Sequence, residues 1–342
     1  MIGQHLRLGF IPLADCAALA VAQELGLFRD EGLDVELVRE ASWATIRDKV
    51  QTGFLDGAHM LAPMPLASSL GLGGERAALI APMALNQNGS AITVSNALAG
   101  RMRAADPEAM SERPRTARAL RRLVDQRRRS GAAPLVFASV FPFSLHAYLL
   151  RDWLAQAGID PDGHVRLVVT PPPRMTAQLR AGEIDGFCVG APWNAVAEAD
   201  GAGEIQVRGR ELWPGRLDKV LGVAPLFAER EPQTLQALLR ALIKGAAWAD
   251  LTDNRPALAR LLARPEYVGQ PEPILARSLV QTPGALVFRG ADAGLPSLDQ
   301  ATWLVGQMRR WGQIPPEVDA DSVAAQVFRP DLFRLAEAAS DV

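Results

Sequence analysis

Two places in this chain carry residue types that could hold an anion. At Ser42-Trp43-Ala44-Thr45 an alternating run, residues 33–38, gives way to a helical pattern. Ser42 reads as an N-cap, which leaves the first-turn N–H groups of Trp43, Ala44 and Thr45 facing whatever precedes the helix. The indole adds a flat wall beside them. The same residues also describe an ordinary capped helix with a packing tryptophan. The second place is Lys219, one of only three lysines among 36 basic residues, leading the strand-like run Lys219-Val220-Leu221-Gly222-Val223. Its ammonium either enters a ligand cleft or lies on plain surface.

The other reactive residue types form no catalytic set. Cys16 and Cys188 lie far apart without metal-ligand spacing and read as buried thiols, and His5, His59, His146 and His164 make no ligand pair. Gly71-Leu72-Gly73-Gly74 lacks the Lys-Ser/Thr that completes a phosphate loop, and no Gly-x-Ser-x-Gly elbow occurs. The expectation is a binding protein, not an enzyme, that uses no metal and no cofactor. A net charge of −2 offers no field for nucleic acid or an anionic membrane. No run reaches the ~18–20 apolar residues of a membrane span. The opening residues run straight into Leu8-Gly9-Phe10-Ile11-Pro12, a strand rather than an export signal, and Asp15 and Pro12 spoil Leu13-Ala14-Asp15-Cys16 as a lipoprotein box. With Met1 as the native start, the expected location is cytoplasmic.

The elements that must position these residues alternate between strand and helix, which predicts parallel sheets covered by helices. Strands at 6–11, 33–38, 56–60, 77–83 and 91–95, with helices at 17–25, 43–51 and 63–70, make a first α/β block. Strands at 135–140, 165–169 and 186–190, with helices at 144–157 and 175–180, make a second. After a strand at 219–223 the pattern is helical throughout, with long amphipathic stretches at 235–248 and 297–311. A chain of 342 residues is typical of two lobes. We read them as 1–95 plus 210–342, and 96–209 inserted between, the layout of a hinged binder that closes on small ligands. Residues 101–129 hold ten arginines against Asp106, Glu108, Glu112 and Asp125. That run is either a solvated helix face or a docking patch for an acidic partner or RNA.

Several segments carry a resemblance: Leu8-Gly9-Phe10-Ile11-Pro12-Leu13-Ala14-Asp15-Cys16-Ala17, Arg39-Glu40-Ala41-Ser42-Trp43, Asp56-Gly57-Ala58-His59, Phe187-Cys188-Val189-Gly190-Ala191-Pro192-Trp193 and Leu212-Trp213. Together they resemble the nitrate/bicarbonate-binding proteins of bacterial ABC transporters. The resemblance implies an α/β, two-lobe periplasmic-binding-protein-like fold (type II), with a ligand cleft between the lobes and a helical C-terminal region. It implies an anion seated on Trp43, Ala44 and Thr45, with further contacts from His146, Pro172 and Lys219. A cation at Lys219 favours nitrate or nitrite over calcium-assisted bicarbonate, for which an acidic residue is expected there. Where the family has a glutamine this chain has Ser90, so either Gln87 reaches in or the pocket is looser. Without an export signal, the chain resembles the NasS-type cytoplasmic nitrate/nitrite sensors. That branch implies a NasT-like ANTAR antiterminator as partner, held when ligand-free and released on anion binding, with no direct nucleic-acid contact. Two competing readings are a transport binding protein whose leader precedes this sequence, and an enzyme on the same scaffold using Cys16 or Cys188.

Overall fold

The computed structural model describes residues 3–282 and 286–340, so the reading of Met1 as a start lies outside the described residues. The strands are β1 (Gln4–Phe10), β2 (Leu33–Arg39), β3 (Gly57–Leu61), β4 (Ile80–Asn88), β5 (Ser90–Ser95), β6 (Val136–Ser139), β7 (Arg166–Val169), β8 (Gly186–Gly190), β9 (Gly203–Arg208), β10 (Leu217–Val223) and β11 (Leu286–Val287). The chain divides into two compact units, Met1–Asn88 with Gly215–Val342, and Gly89–Pro214.

The first unit is built on a six-stranded sheet in the order β11-β4-β10-β3-β1-β2. β1 runs parallel to β2 and β3, and β10 lies antiparallel between β3 and β4. β3 and β10 are buried along their whole length, which is why both read as near-continuous apolar runs instead of alternating ones. Helices cover the sheet. Ala17–Glu24 packs on Pro232–Asp250, and Gly245 makes that approach possible, because a Cβ there would meet the carbonyl oxygen of Ala18 at 2.6 Å.

The second unit holds a five-stranded sheet in the order β7-β6-β8-β5-β9, with β6 parallel to β7 and β8, and β5 antiparallel between β8 and β9. Its core gathers Ile92, Val94, Leu120, Phe137, Leu150 and Trp153. The two sheets share one plan. Three parallel strands stand in the order second-first-third, and beside them lies an antiparallel strand formed as the chain arrives from the other unit.

That plan corrects the lobe boundaries. The strand read at 91–95 is β5, central to the second sheet, so the first crossing falls after Asn88 and the second after Pro214, in place of 95 and 209. Side-chain periodicity misses the first crossing because β4 and β5 are both apolar and only Gly89 separates them. The break is in the backbone: Asn88 and Gly89 take φ of 64° and 90°. Asn88 tolerates this region as few residues do, and its Oδ1 accepts the N–H of Gly215 at 3.0 Å. The tail is helical except for β11.

In the arginine-rich segment, helix Arg118–Arg129 buries Ala119, Leu120 and Val124. Arg118 and Arg122 reach Asp106 at 3.2 and 3.0 Å, Arg121 reaches Asp125 at 2.7 Å, and Arg115 reaches Glu204 at 2.8 Å. Much of the run is therefore neutralised inside the unit. Arg127, Arg128 and Arg129 close the last turn, where cations suit the helix's terminal carbonyls, and Arg128 and Arg129 join Arg121 in holding the Asp125 carboxyl below its ordinary range. No described helix is long and apolar enough to cross a membrane.

Candidate functional site

Ligands of α/β sheets bind beyond the carboxyl ends of parallel strands, where loops and helix N-termini converge. In the first unit, β1 leads to the short turn Ala14–Cys16, β2 leads to Ser42 and the helix Trp43–Gln51, and β3 ends at Leu61, opposite Lys219 of β10. Asp15, Trp43 and Lys219 thus come to one edge of one sheet.

Ser42 is the N-cap, with φ −148° and ψ 155°, and its Oγ accepts the N–H of Thr45 at 3.2 Å. The cap therefore consumes one of the three donors expected to be free. Trp43 and Ala44 remain as the first-turn N–H groups it does not use. Trp43 is 1% exposed, its ring tilted 55° to that of His59 with centroids 5.4 Å apart. Lys219 Nζ lies 5.7 Å from the indole centroid.

Lys219 is not the bare cation the sequence suggests. Its ammonium lies 2.9 Å from Asp15 Oδ2 and 2.8 Å from Asp218 Oδ2, and all three side chains are fully buried. His59 extends the chain, with Nε2 2.8 Å from Asp15 Oδ1. That contact is close but poorly aligned for a hydrogen bond, so its value is mainly electrostatic. The physical reason for the carboxylates is desolvation: an unpaired buried ammonium costs several kcal/mol, which opposite charges at contact distance offset. Burial would raise the Asp15 carboxyl, yet Lys219 and His59 outweigh it and hold the group well below the usual carboxylate range. Burial would lower Lys219, and Asp15 and Asp218 outweigh that in turn, so it stays protonated above the ordinary lysine range. Burial, then the Asp15 charge, push the Cys16 thiol up, away from thiolate chemistry.

A lowered carboxyl stabilises the fold above its unfolded value, near pH 4, and that contribution is lost as pH falls through the folded value. Wild-type urea midpoints are therefore expected to fall steeply below about pH 4, and Asp15→Asn to flatten part of that limb. Equal acid slopes in the two proteins would remove Asp15 from the account.

In the second unit the same architecture recurs. After β6, Ser144 caps helix Leu145–Gln156, accepting the N–H of Ala147 at 3.0 Å and donating to the Phe141 carbonyl at 2.6 Å. His146 is fully buried in that first turn. After β7 comes Pro172, buried in the turn Pro172–Arg174, and after β8 the helix Trp193–Ala199. Ser90 opens β5 opposite Gly190. It sits close to Gly209, whose missing Cβ would meet Ser90 Oγ at 2.5 Å and Leu149 at 3.2 Å.

Of the expected site residues, Trp43, Ala44, Thr45, Gln87 and Lys219 belong to the first unit, and Ser90, His146 and Pro172 to the second. Trp43 and Lys219 meet. Gln87 is half-buried and pairs with Leu217, whereas Asn86 is fully buried and stands opposite Lys219. Asn86, Asp15, His59 and Asp218 are the residues that sequence reasoning passed over. A signal for two of them was present: His59 in Gly57-Ala58-His59-Met60-Leu61, and Asp218 beside Lys219, are ionisable groups inside apolar strands, where they need partners. Trp43 Nε1, His59 Nδ1 and Asn86 Oδ1 are buried and lack a hydrogen-bond partner among the described residues, so polar capacity is concentrated around this cluster.

The NMT1-like family profile matches residues 3–263. The chain belongs to the NMT1-like family. It is 36% identical over 352 residues to the nitrate import ATP-binding protein NrtC of Synechocystis sp., covering 96% of this chain and 49% of that one. This NMT1-like chain thus spans about half the length of that relative. It is 33% identical to the nitrate/nitrite binding protein NrtA of Synechococcus elongatus, over 96% of this chain and 76% of that one. The crystal structure of the periplasmic nitrate-binding protein NrtA from Synechocystis PCC 6803 superposes with a TM-score of 0.90 at 27% identity, covering 99% of this chain and 90% of the other. The periplasmic-binding-protein-like α/β fold expected from the sequence is the fold of this family member.

Proposed function

We propose that this protein binds nitrate or nitrite, without chemical turnover, as the substrate-binding module of an ABC-type importer. The observation that carries the reading is Lys219, a buried ammonium on β10 beside Trp43 and the start of its helix. Nitrate is a planar, weakly basic monoanion that needs convergent donors and one positive charge more than it needs a metal. Lys219 has a third N–H beyond the two directed at carboxylates, and the first-turn N–H groups of Trp43 and Ala44 add donors of the kind that seat anions. Gln87 or Asn86 is the further contact we assign in the first unit, and the sequence resemblance adds Ser90, His146 and Pro172. The transport role is supported by the names of the relatives, nitrate import and nitrate/nitrite binding proteins.

A second reading keeps the same ligand and makes the protein a cytoplasmic sensor that holds a NasT-like ANTAR antiterminator until the anion binds. It is supported by the sequence resemblance. A coupling of about 1–3 kcal/mol between anion and partner would shift affinity roughly 5- to 150-fold.

Calorimetric titration of the full chain with sodium nitrate, sodium nitrite, and sodium bicarbonate plus calcium tests the ligand. Repeating it with the purified antiterminator tests the role. Nitrate or nitrite is expected to bind and bicarbonate with calcium not to. Binding of bicarbonate alone would overturn the ligand, and release of the antiterminator by nitrate would replace the transport reading with the sensor.

A further inference from the structure

Asn86 is fully buried on β4 and stands opposite Lys219 of β10. Its amide can be oriented from its one recorded bond. Nδ2 lies 3.1 Å from the Asn88 carbonyl oxygen, which can only accept, so the nitrogen faces that oxygen and Oδ1 faces away. Oδ1 is buried and has no hydrogen-bond partner among the described residues. Nδ2 carries a second N–H beyond the one given to Asn88. One end of the side chain is thus committed to Asn88, while polar capacity remains on the amide opposite the ammonium assigned to the anion. We infer that Asn86 is the positioning residue that couples occupancy of the anion site to the strand crossing at Asn88 and Gly215. This rests on the anion-binding reading above.

Within the first unit the crossing is a small closed network. Asn88 donates its backbone N–H to the Arg216 carbonyl at 3.1 Å, and its Oδ1 accepts the N–H of Gly215 at 3.0 Å. Both residues hold positive φ, 64° for Asn88 and 69° for Gly215, a region that glycine enters freely and asparagine at some cost. Gly215 and Arg216 are fixed in turn to helix Leu298–Arg310. The Gly215 carbonyl accepts Gln300 Nε2 at 2.9 Å, and the Arg216 guanidinium lies 4.2 Å from the Trp303 ring centroid. On the β4 side, the Asn88 carbonyl is held by Asn86. An anion beside Lys219 attracts the second Nδ2 hydrogen and repels Oδ1, so it favours the amide orientation that bonds Asn88. The left-handed backbone at Asn88 and its bond to Gly215 are then held more firmly. The linkage is reciprocal, so loosening the crossing must weaken the anion. The two crossings are the covalent links between the units, and a few residues of this kind absorb the backbone rotation of a hinge.

Amide hydrogen exchange of the full chain, with and without saturating sodium nitrate, tests the coupling. In the wild type, nitrate is expected to slow exchange at Asn88 and Gly215 by about fivefold or more. Asn86→Leu keeps the volume and loses the amide. Lys219 remains, so this variant should still be saturated at higher nitrate, but the slowing at the two amides should be gone. An Asn86 that only supports the fold would speed exchange equally with and without nitrate, and slowing that survives in the variant overturns the inference. If Asn86→Leu does not fold, Asn88→Gly takes its place, because it permits positive φ and removes the Oδ1 acceptor. Calorimetry should then show nitrate affinity reduced by about fivefold or more, although Asn88 is not an assigned anion contact. Unchanged affinity in Asn88→Gly, or wild-type binding with no slowing at Asn88 and Gly215, overturns the inference and leaves the nitrate reading standing. Failure of the wild type to bind nitrate removes both.

Discussion

Lys219→Ala is expected to weaken nitrate binding by about a hundredfold or more and to cost about 3–5 kcal/mol of stability, because truncating one member of a buried charge group strands the others. The stranded groups are Asp15 and Asp218, both within 3 Å of the ammonium and shielded from water. The two losses have different causes and can be separated. The triple variant Lys219→Met, Asp15→Asn, Asp218→Asn removes the charges together, so it should recover much of the stability in urea denaturation while anion binding stays lost. Normal nitrate affinity in Lys219→Ala, or binding restored in the neutral triple variant, would show that the ammonium is a structural charge and not the anion's partner.

Trp43→Ala should produce the second large effect, about 3–5 kcal/mol of destabilisation, the usual cost of emptying a buried aromatic site. Trp43 is among the largest fully buried side chains and stands against both His59 and Lys219. Its removal therefore opens a cavity next to the buried charges. Trp43→Phe retains most of the wall and should lose much less stability, while giving up the indole N–H. Chemical denaturation of both variants reads the difference. A change below about 1 kcal/mol in Trp43→Ala would mean that the helix start is free to collapse and that the indole does not organise this edge of the sheet.

Lys219 also shows where sequence reasoning stops. Its place at the head of an apolar strand, the cap at Ser42, and the alternation of strand with helix were all readable, because each depends on spacing over a few residues. The partners of Lys219 were not. Asp15 is 204 residues away, and it reaches the ammonium only because β10 inserts between β3 and β4 and ends beside the carboxyl edge of β3. The same strand order places Asn86, not Gln87, opposite Lys219, through a register irregularity that no periodicity reveals.

By itself, then, the sequence determined the local elements, the absence of a phosphate loop or a nucleophile elbow, and the chemical types available at each strand end. The tertiary structure alone decided that β5 belongs to the second sheet, that the lysine is a carboxylate-paired member of a four-residue cluster, and that His59 is part of it. Local hydrogen bonding and burial period set the first group. The second depends on which strands become neighbours, and that is settled by packing whole sheets and covering helices together, a property no short window of residues contains.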